Sequence, residues 1–279
     1  MRSRNRARII DVLSRQDGLA PGLVPHVIPL LAFDPVADHA LFALRKVAEE
    51  RVGELTDALL DPNQTYAVRR RLARVFSVCV SQRAVDALLL ALDDARFDVR
   101  FQSARSLAAI LDKNPRIHVD RERIYEVVLR EAAVSRPVWE SRRLLDGFVS
   151  ESPLDEFVRD RAGQSLAHVF TLLSLVLPRE PLQIAFRSLH SDDRYLRGTA
   201  LEYLDGVLPS PIRQRLWPFL VHRRVSRVAP PHDEIIADLL RSSQSITLNS
   251  IAGGRERQGN SEFRIRNSEF ATPAGIEAV

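Results

Sequence analysis

Cysteine is nearly absent from this sequence. Cys79 is the single cysteine among 279 residues, so no disulfide forms within the chain, and this usage is typical of a reducing compartment. Long apolar runs are missing as well: Phe170–Leu177 is the longest candidate, whereas a membrane-spanning helix needs about 20 residues. The arginines at the N-terminus precede no clean apolar segment, so no signal peptide is expected. A cytoplasmic location is therefore predicted.

The motifs that commonly mark chemistry are also missing. The sequence contains neither G-x-G-x-x-G nor G-x-x-x-x-G-K-[ST], the two glycine-rich patterns that cradle phosphates. None of the seven histidines has another three or four residues away, so no helical pair of metal ligands exists. Cys79 has no local base and is interpreted as a buried, inert thiol. Catalytic, cofactor-binding and metal-binding residues are therefore predicted to be absent.

Lysine is almost absent too, and nearly every base is arginine. Only Lys46 and Lys113 occur, and the net charge of the chain is +4. Residues 1–8 alone contribute four arginines and no acid, while residues 252–279 hold four arginines and four glutamates. The body between them is therefore neutral. Since a neutral body does not attract a polyanion over distance, nucleic acid is an unlikely partner by this criterion.

What the sequence does contain is a repeated helical pattern. An aliphatic residue is followed by a base at +1, a small or apolar residue at +4 and a large apolar residue at +8, which share one helix face. Val36, Val68, Val99, Val158 and Leu196 begin the matches, although Val36 lacks the base. The starts are 32, 31, 59 and 38 residues apart. Three of these spacings fit a two-helix repeat, and the longest fits about two repeats.

The stretches Arg83–Leu111 and Leu189–Pro209 resemble short HEAT-like repeats, with an acidic turn before a second helix of the form "VR…A…AL". The resemblance extends loosely over residues 20–220 and fits poorly between residues 115 and 152. It implies an all-α fold: a right-handed α-solenoid of stacked antiparallel helix hairpins over residues 9–241. A basic N-terminal arm (residues 1–8) precedes it, and a tail rich in Ser, Asn, Gly and Arg (residues 242–279) is expected to be disordered.

The family resemblance also implies a structural ladder between successive repeats. In such repeats the acid before the second helix and the arginine at +1 bond across the repeat boundary. Asp94 with Arg100, and Asp192 with Arg197, occupy these positions. Contact with a ligand and a solvated helix face are the alternatives for these side chains.

Candidate partner-binding residues lie in two places. The run "RRRLAR" supplies Arg70, Arg71 and Arg74 on one helix, which could face an acidic partner, and Arg105 is expected to be exposed on a later helix. Trp217 lies in the basic, aromatic segment "RLWPFLVHRR". The alternative for the arginines is a solvated helix face, and the alternative for Trp217 is a capping helix that closes the last repeat.

A second, looser resemblance concerns Arg159–Pro209, which is similar to the soluble HEAT region of bacterial ATP/ADP-translocase-like proteins. It implies a cytoplasmic module beside a membrane transporter. On that basis Arg2, Arg4, Arg6 and Arg8, which alternate with other residues as in an extended or weakly helical arm, are expected to contact anionic lipid weakly.

The function predicted from the sequence is a non-enzymatic, bacterial scaffold module that binds an unidentified protein and regulates a transporter if the second resemblance holds. The alternative is a HEAT-like enzyme that acts on nucleic acid as a glycosylase does, or a relative of the chromophore lyases. A deep concave pocket, or a cleft of aromatic residues and arginines, would favour the enzyme.

Overall fold

The computed structural model describes residues 2–14, 19–145 and 153–221, without the side chains of residues 2–5, 142–145 and 153–159. Every regular element within these ranges is helical and none is a strand, which confirms the all-α class. The α-helices are α1 (Arg2–Leu13), α2 (Val24–Val27), α3 (Asp34–Val47), α4 (Val52–Leu60), α5 (Tyr66–Val75), α6 (Gln82–Ala91), α7 (Phe97–Lys113), α8 (Arg121–Leu145), α9 (Pro153–Leu173), α10 (Arg179–Leu189), α11 (Arg194–Val207) and α12 (Ser210–Val221). The predicted tail (residues 242–279) lies outside the described residues.

Short 3₁₀ helices complete the first part of the chain at Pro21–Leu23, Ile28–Ala32 and Phe76–Val78. Pro25 and Pro29 each occupy one of the first two positions of a short helix, where the missing amide hydrogen costs nothing. The two prolines therefore divide this segment into single turns. None of the described helices combines the length and apolar character needed to cross a bilayer.

The described part of the N-terminal arm is helical from Arg2, so of the extended and weakly helical alternatives the extended one is wrong. Helix α1 begins at Arg2 and continues through the basic segment to Leu13. Arginine is a good helix former, and no proline or glycine interrupts the run. Leu13 is 4% exposed and belongs to the core, so the end of α1 is packed while Arg6 and Arg8 remain exposed.

The repeated pattern places its first aliphatic residue in the core in three matches. Val36, Val68 and Val99 are 6%, 1% and 0% exposed. Leu196 is 47% exposed, so the last match buries its helix differently. The side chain of Val158 lies outside the described residues.

Hairpins follow one another along the chain. Helices α4 and α5, α6 and α7, α8 and α9, and α10 and α11 pack as pairs, and α4 also contacts α6. The second helices form a continuous series, which we call the second-helix row: α3 contacts α5, α5 contacts α7, and α7 contacts α9. Helix α12 packs against α8, where the rings of Trp139 and Phe219 lie 5.1 Å apart.

Candidate partner-binding surface

Ion pairs join neighbouring hairpins at the +1 position of the repeated pattern. Arg69 forms an ion pair with Asp94 and donates to the Leu59 carbonyl at 3.0 Å. Arg100 grips both carboxylate oxygens of Glu131, with Nη2 3.1 Å from Oε2, and donates to the Asp94 carbonyl at 2.8 Å. Each arginine therefore binds an acid of the unit that follows its own, with geometry suited to charge-assisted hydrogen bonds.

The second predicted ladder pair is arranged differently. Asp193, the neighbour of Asp192, begins α11 by accepting hydrogen bonds from the amides of Tyr195 and Leu196, as an N-cap residue does. Asp192 is exposed and Arg197 is half-buried in α11. No ion pair joins Arg197 to a described acid.

A buried polar cluster lies between α7, α8 and α9. His168 is fully buried, with Nε2 3.8 Å from Oε2 of Glu131, and its ring meets the ring of Phe97 edge-on at 5.5 Å. The guanidinium of Arg161 lies 3.4 Å from the centre of the Phe97 ring. Burial, followed by the charges of Arg100 and Arg161, lowers the pKa of His168 to about 3. A neutral, enclosed imidazole packs the helices together and offers no opening to a substrate.

Other groups capable of chemistry are equally constrained. Burial, with the nearby charge of Glu49, raises the pKa of the Cys79 thiol to about 12, so the thiolate that a nucleophile requires is not formed near neutral pH. Within the described ranges, no three His, Cys, Asp or Glu side chains converge as metal ligands.

An open groove of about 420 Å³ lies where the end of α7 meets the turn between α9 and α10. Its wall includes an ion pair between Asp112 and Arg179 and the hydroxyl of Ser174, which donates to the Thr171 carbonyl at 2.7 Å. His118 and Arg121 complete the polar rim. The acid and the hydroxyl of the groove already have partners within the fold.

Four half-buried arginines extend across the second-helix row, and we call them the arginine row: Arg45 of α3, Arg70 and Arg74 of α5, and Arg96 at the start of α7. Arg45 donates to the Arg74 carbonyl at 3.0 Å and to Ser77 Oγ at 3.0 Å. Burial, followed by the charge of Arg74, lowers the pKa of Arg45. The row is therefore a local concentration of positive charge.

An aromatic side chain supports the other end of the arginine row. The guanidinium groups of Arg70 and Arg96 each lie 5.8 Å from the centre of the Tyr66 ring, within the range of cation–π attraction. Farther along α3, Phe42 is 59% exposed and Lys46 Nζ lies 5.0 Å from its ring centre. Aromatic and basic side chains thus lie together at two places in the second-helix row.

The predicted partner-binding residues occupy different environments. Arg71 is 7% exposed and donates to the Leu31 carbonyl at 2.6 Å and to Asp34 at 2.5 Å. Arg71 therefore joins α5 to the 3₁₀ helix Ile28–Ala32 and to the start of α3, and it is not accessible to a partner. Arg105 is half-buried rather than exposed. Trp217 is half-buried and packs against the core in α12.

Sequence reasoning named Arg70 and Arg74 as candidates for partner binding, and it did not name Arg45, Arg96 or Tyr66. Arg45 precedes Arg74 by nearly one repeat period, which was a usable signal for their proximity. Arg96 and Tyr66 lie at the starts of successive second helices, and no spacing rule in the sequence indicates that one ring receives two guanidinium groups.

Neither the known protein families, nor the curated proteins, nor the solved structures include a match to this chain. The resemblance to HEAT repeats therefore remains an interpretation of the residues themselves.

Proposed function

We propose that this chain is a non-enzymatic scaffold of HEAT-like repeats that holds a protein partner on its second-helix row. The observation that carries the proposal is the arginine row. These four side chains come from three successive units, and each is half-buried.

Contacts between units support a stacked, solenoid-like arrangement. Ser106 of α7 donates to the Ala73 carbonyl of α5 at 2.7 Å. Gln82 exchanges two hydrogen bonds with His118, at 2.9 and 3.0 Å. Together with the Arg100–Glu131 pair, these bonds join residues about one repeat apart, as expected when each unit contacts mainly its neighbours. The right-handed twist is implied by the HEAT resemblance.

The enzyme alternative requires an accessible cleft. One group of aromatic residues and an arginine consists of Phe97, His168 and Arg161, and its Phe97 and His168 are 1% and 0% exposed. A buried group of this kind favours packing over substrate binding. A second group, Tyr66 with Arg70 and Arg96, is half-buried and belongs to the arginine row. A regulatory role beside a membrane transporter, on the cytoplasmic side, remains a further proposal that rests on the second resemblance.

Site-specific photocrosslinking in cells tests the binding function. Benzoylphenylalanine in place of Phe42 samples the second-helix row, and the same group in place of Leu90 on α6 is the control, since the two side chains are 59% and 57% exposed. One discrete crosslinked protein is expected from the first position only. Equal products at both positions, or crosslinks to nucleic acid, would contradict the proposal.

A further inference from the structure

We infer that the arginine row receives an acidic, extended polypeptide segment whose carboxylates lie about two residues apart. This inference rests on the proposed scaffold function and specifies the chemistry of its partner. It follows from the charge balance, the orientation and the spacing of the four arginines.

The arginine row differs from several other described arginines in its lack of a carboxylate partner for the guanidinium group. Arg69, Arg71, Arg100 and Arg179 each have a carboxylate partner. Among the described residues, no carboxylate forms an ion pair with a guanidinium group of the arginine row. The guanidinium group of Arg45 binds a carbonyl and a hydroxyl, and those of Arg70 and Arg96 lie beside the Tyr66 ring. These neutral groups orient three of the four guanidinium groups without cancelling their charge, and the contact of Arg96 with Asp94 is made by its backbone amide, at 2.7 Å.

Orientation by neutral partners favours binding. Arg45 is fixed by two acceptors, the Arg74 carbonyl and Ser77 Oγ, so less side-chain freedom remains to be lost when a ligand arrives. A guanidinium group that lies beside an aromatic ring keeps its N–H edge open, and that edge matches a carboxylate in a bidentate fashion. Partial burial strengthens such a pair relative to one in bulk water.

The spacing suits an extended chain. Arg70 and Arg74 are one helical turn apart, and residues so placed have Cβ atoms about 5–6 Å apart. Alternate residues of an extended peptide are separated by roughly 6.6 Å. The row crosses from α3 to the start of α7, which is about two interhelical distances of 8–10 Å. A segment of roughly six residues would therefore span it.

Charge also favours a peptide over a nucleic acid. Residues 9–251 are neutral in total, and α3, which carries Arg45, also carries the exposed acids Asp34 and Asp38. A continuous phosphate backbone would meet these acids, whereas a short peptide with separated carboxylates need contact the arginines alone. Nucleic acid is accordingly the competing outcome in the test.

Fluorescence anisotropy on the full chain tests the inference. The probe is a labelled, alternating Glu-Ser peptide of about eight residues, long enough to span the row, and the Gln-Ser peptide is its neutral counterpart. The variant Arg70→Gln/Arg74→Gln removes two charges from the row. The control, Arg187→Gln/Arg194→Gln, removes two exposed charges from α10 and α11. Circular dichroism establishes that each variant is folded.

At low salt, of about 50 mM, where exposed charges are weakly screened, the Glu-Ser peptide is expected to bind and the Gln-Ser peptide is not. The row variant should weaken binding about tenfold or more, because two charge-assisted bonds are lost, and the control should change it less than about twofold. If the row variant does not fold, the single variant Arg96→Gln takes its place. Arg96 lies just before the start of α7, and its substitution should also weaken binding of the Glu-Ser peptide.

Three results would overturn the inference: no binding of the Glu-Ser peptide, equal weakening in the row and control variants, or tighter binding of an oligouridine of similar length that responds to the row substitutions. The first two leave the crosslinking result unaffected. If a protein is crosslinked at Phe42 but the acidic peptide does not bind, the inference of an acidic partner is refuted and the scaffold function is not. Failure of the crosslink would refute the scaffold function.

Discussion

Arg69 and Arg100 occupy the same position of successive repeats, and each is committed to an acid of the unit that follows. The carboxylate of Glu131 is 1% exposed, as is that of Asp94. A buried carboxylate that loses its arginine is costly, because its charge is then neither hydrated nor paired. These residues are therefore expected to act in stability, whereas the arginines of the arginine row are half-buried and have no ion-pair partner among the described residues.

The substitution Arg100→Ala is expected to lower the free energy of unfolding by about 3 kcal/mol, since Glu131 remains buried without its partner. The matched control is Arg136→Ala on α8. Arg136 is 64% exposed and pairs with Glu140 at 2.7 Å, and its loss should change the free energy of unfolding little, because solvent screens an exposed pair. Urea unfolding of both variants measures the difference, and similar losses would show that the Arg100–Glu131 pair is not buried.

His168 makes the stability of the fold depend on pH. Its pKa is about 3 in the folded chain, against about 6.5 in an unfolded one. Between these values the unfolded chain binds a proton that the folded chain does not, so the free energy of unfolding falls as the pH falls through this window. The contribution is fully present above the unfolded pKa.

His168→Leu removes this titration and nearly preserves side-chain volume. From about pH 7 to about pH 5, the wild type should lose about 2 kcal/mol more stability than the variant, because the other titrating groups are common to both. At neutral pH the variant should be at least as stable, since neither ring nitrogen of His168 has a protein hydrogen-bond partner. Parallel pH dependences in urea unfolding would mean that His168 is hydrated in the folded state.

At the scale of helices, Trp139 ties together α8, α9 and α12. Its Nε1 donates to Ser165 Oγ at 2.7 Å, its ring lies 5.1 Å from that of Phe219, and it is 4% exposed. Trp139→Ala should cost about 3–5 kcal/mol through the cavity it leaves. Trp139→Phe keeps a ring in place and should cost about 1 kcal/mol for the hydrogen bond.

Chemical unfolding in a Trp217→Phe background measures these costs. The chain has two tryptophans, so Trp139 is the single fluorescent reporter in the parent protein of this background. The alanine and phenylalanine variants are compared by circular dichroism. Equal, small losses in both variants would contradict the placement of α12 against α8.

The sequence pattern predicts the helical elements well because burial of one face every 3.6 residues follows directly from helix geometry. Val68 and Val99 are buried as the repeated pattern requires. The pattern does not predict which helix a side chain meets. Glu131 could not be identified as the partner of Arg100, because residues 115–152 depart from the repeated pattern, and the return of α12 to α8 depends on packing between residues far apart in the chain.

The candidate site was predictable only in part, for a related reason. Arg70, Arg71 and Arg74 are equivalent as letters in one basic run. Arg71 is turned by about 100° around the helix from Arg70, whereas Arg74 follows Arg70 by about one turn. Arg71 therefore meets Leu31 and Asp34, and the other two do not. Arg45 and Arg96 join them only through the packing of α3, α5 and α7.

For the whole molecule, the distribution of charge matters more than its total. The net charge of +4 equals the charge of residues 1–8, and the rest of the chain is neutral in sum. The four arginines belong to α1, which is attached to the core by Leu13, and Arg6 and Arg8 are exposed. The four arginines of α1, which we call the basic end, are therefore held by a helix that is anchored to the core. Their individually weak contacts with a charged surface can then add to one another.

The basic end is expected to bind anionic membranes weakly. Each basic residue near such a surface contributes about 1 kcal/mol, so four give marginal association that about 0.5 M salt abolishes. Changing Arg2, Arg4, Arg6 and Arg8 to Ser should abolish co-sedimentation with phosphatidylserine vesicles at low salt. The control removes four exposed arginines elsewhere, at Arg116, Arg121, Arg187 and Arg194. Since both variants have the same net charge, retention of binding in the control alone would assign it to α1. Equal binding to phosphatidylcholine vesicles would show instead that the contact is apolar. Equal loss of binding in both variants would show that binding depends on the total charge of the protein.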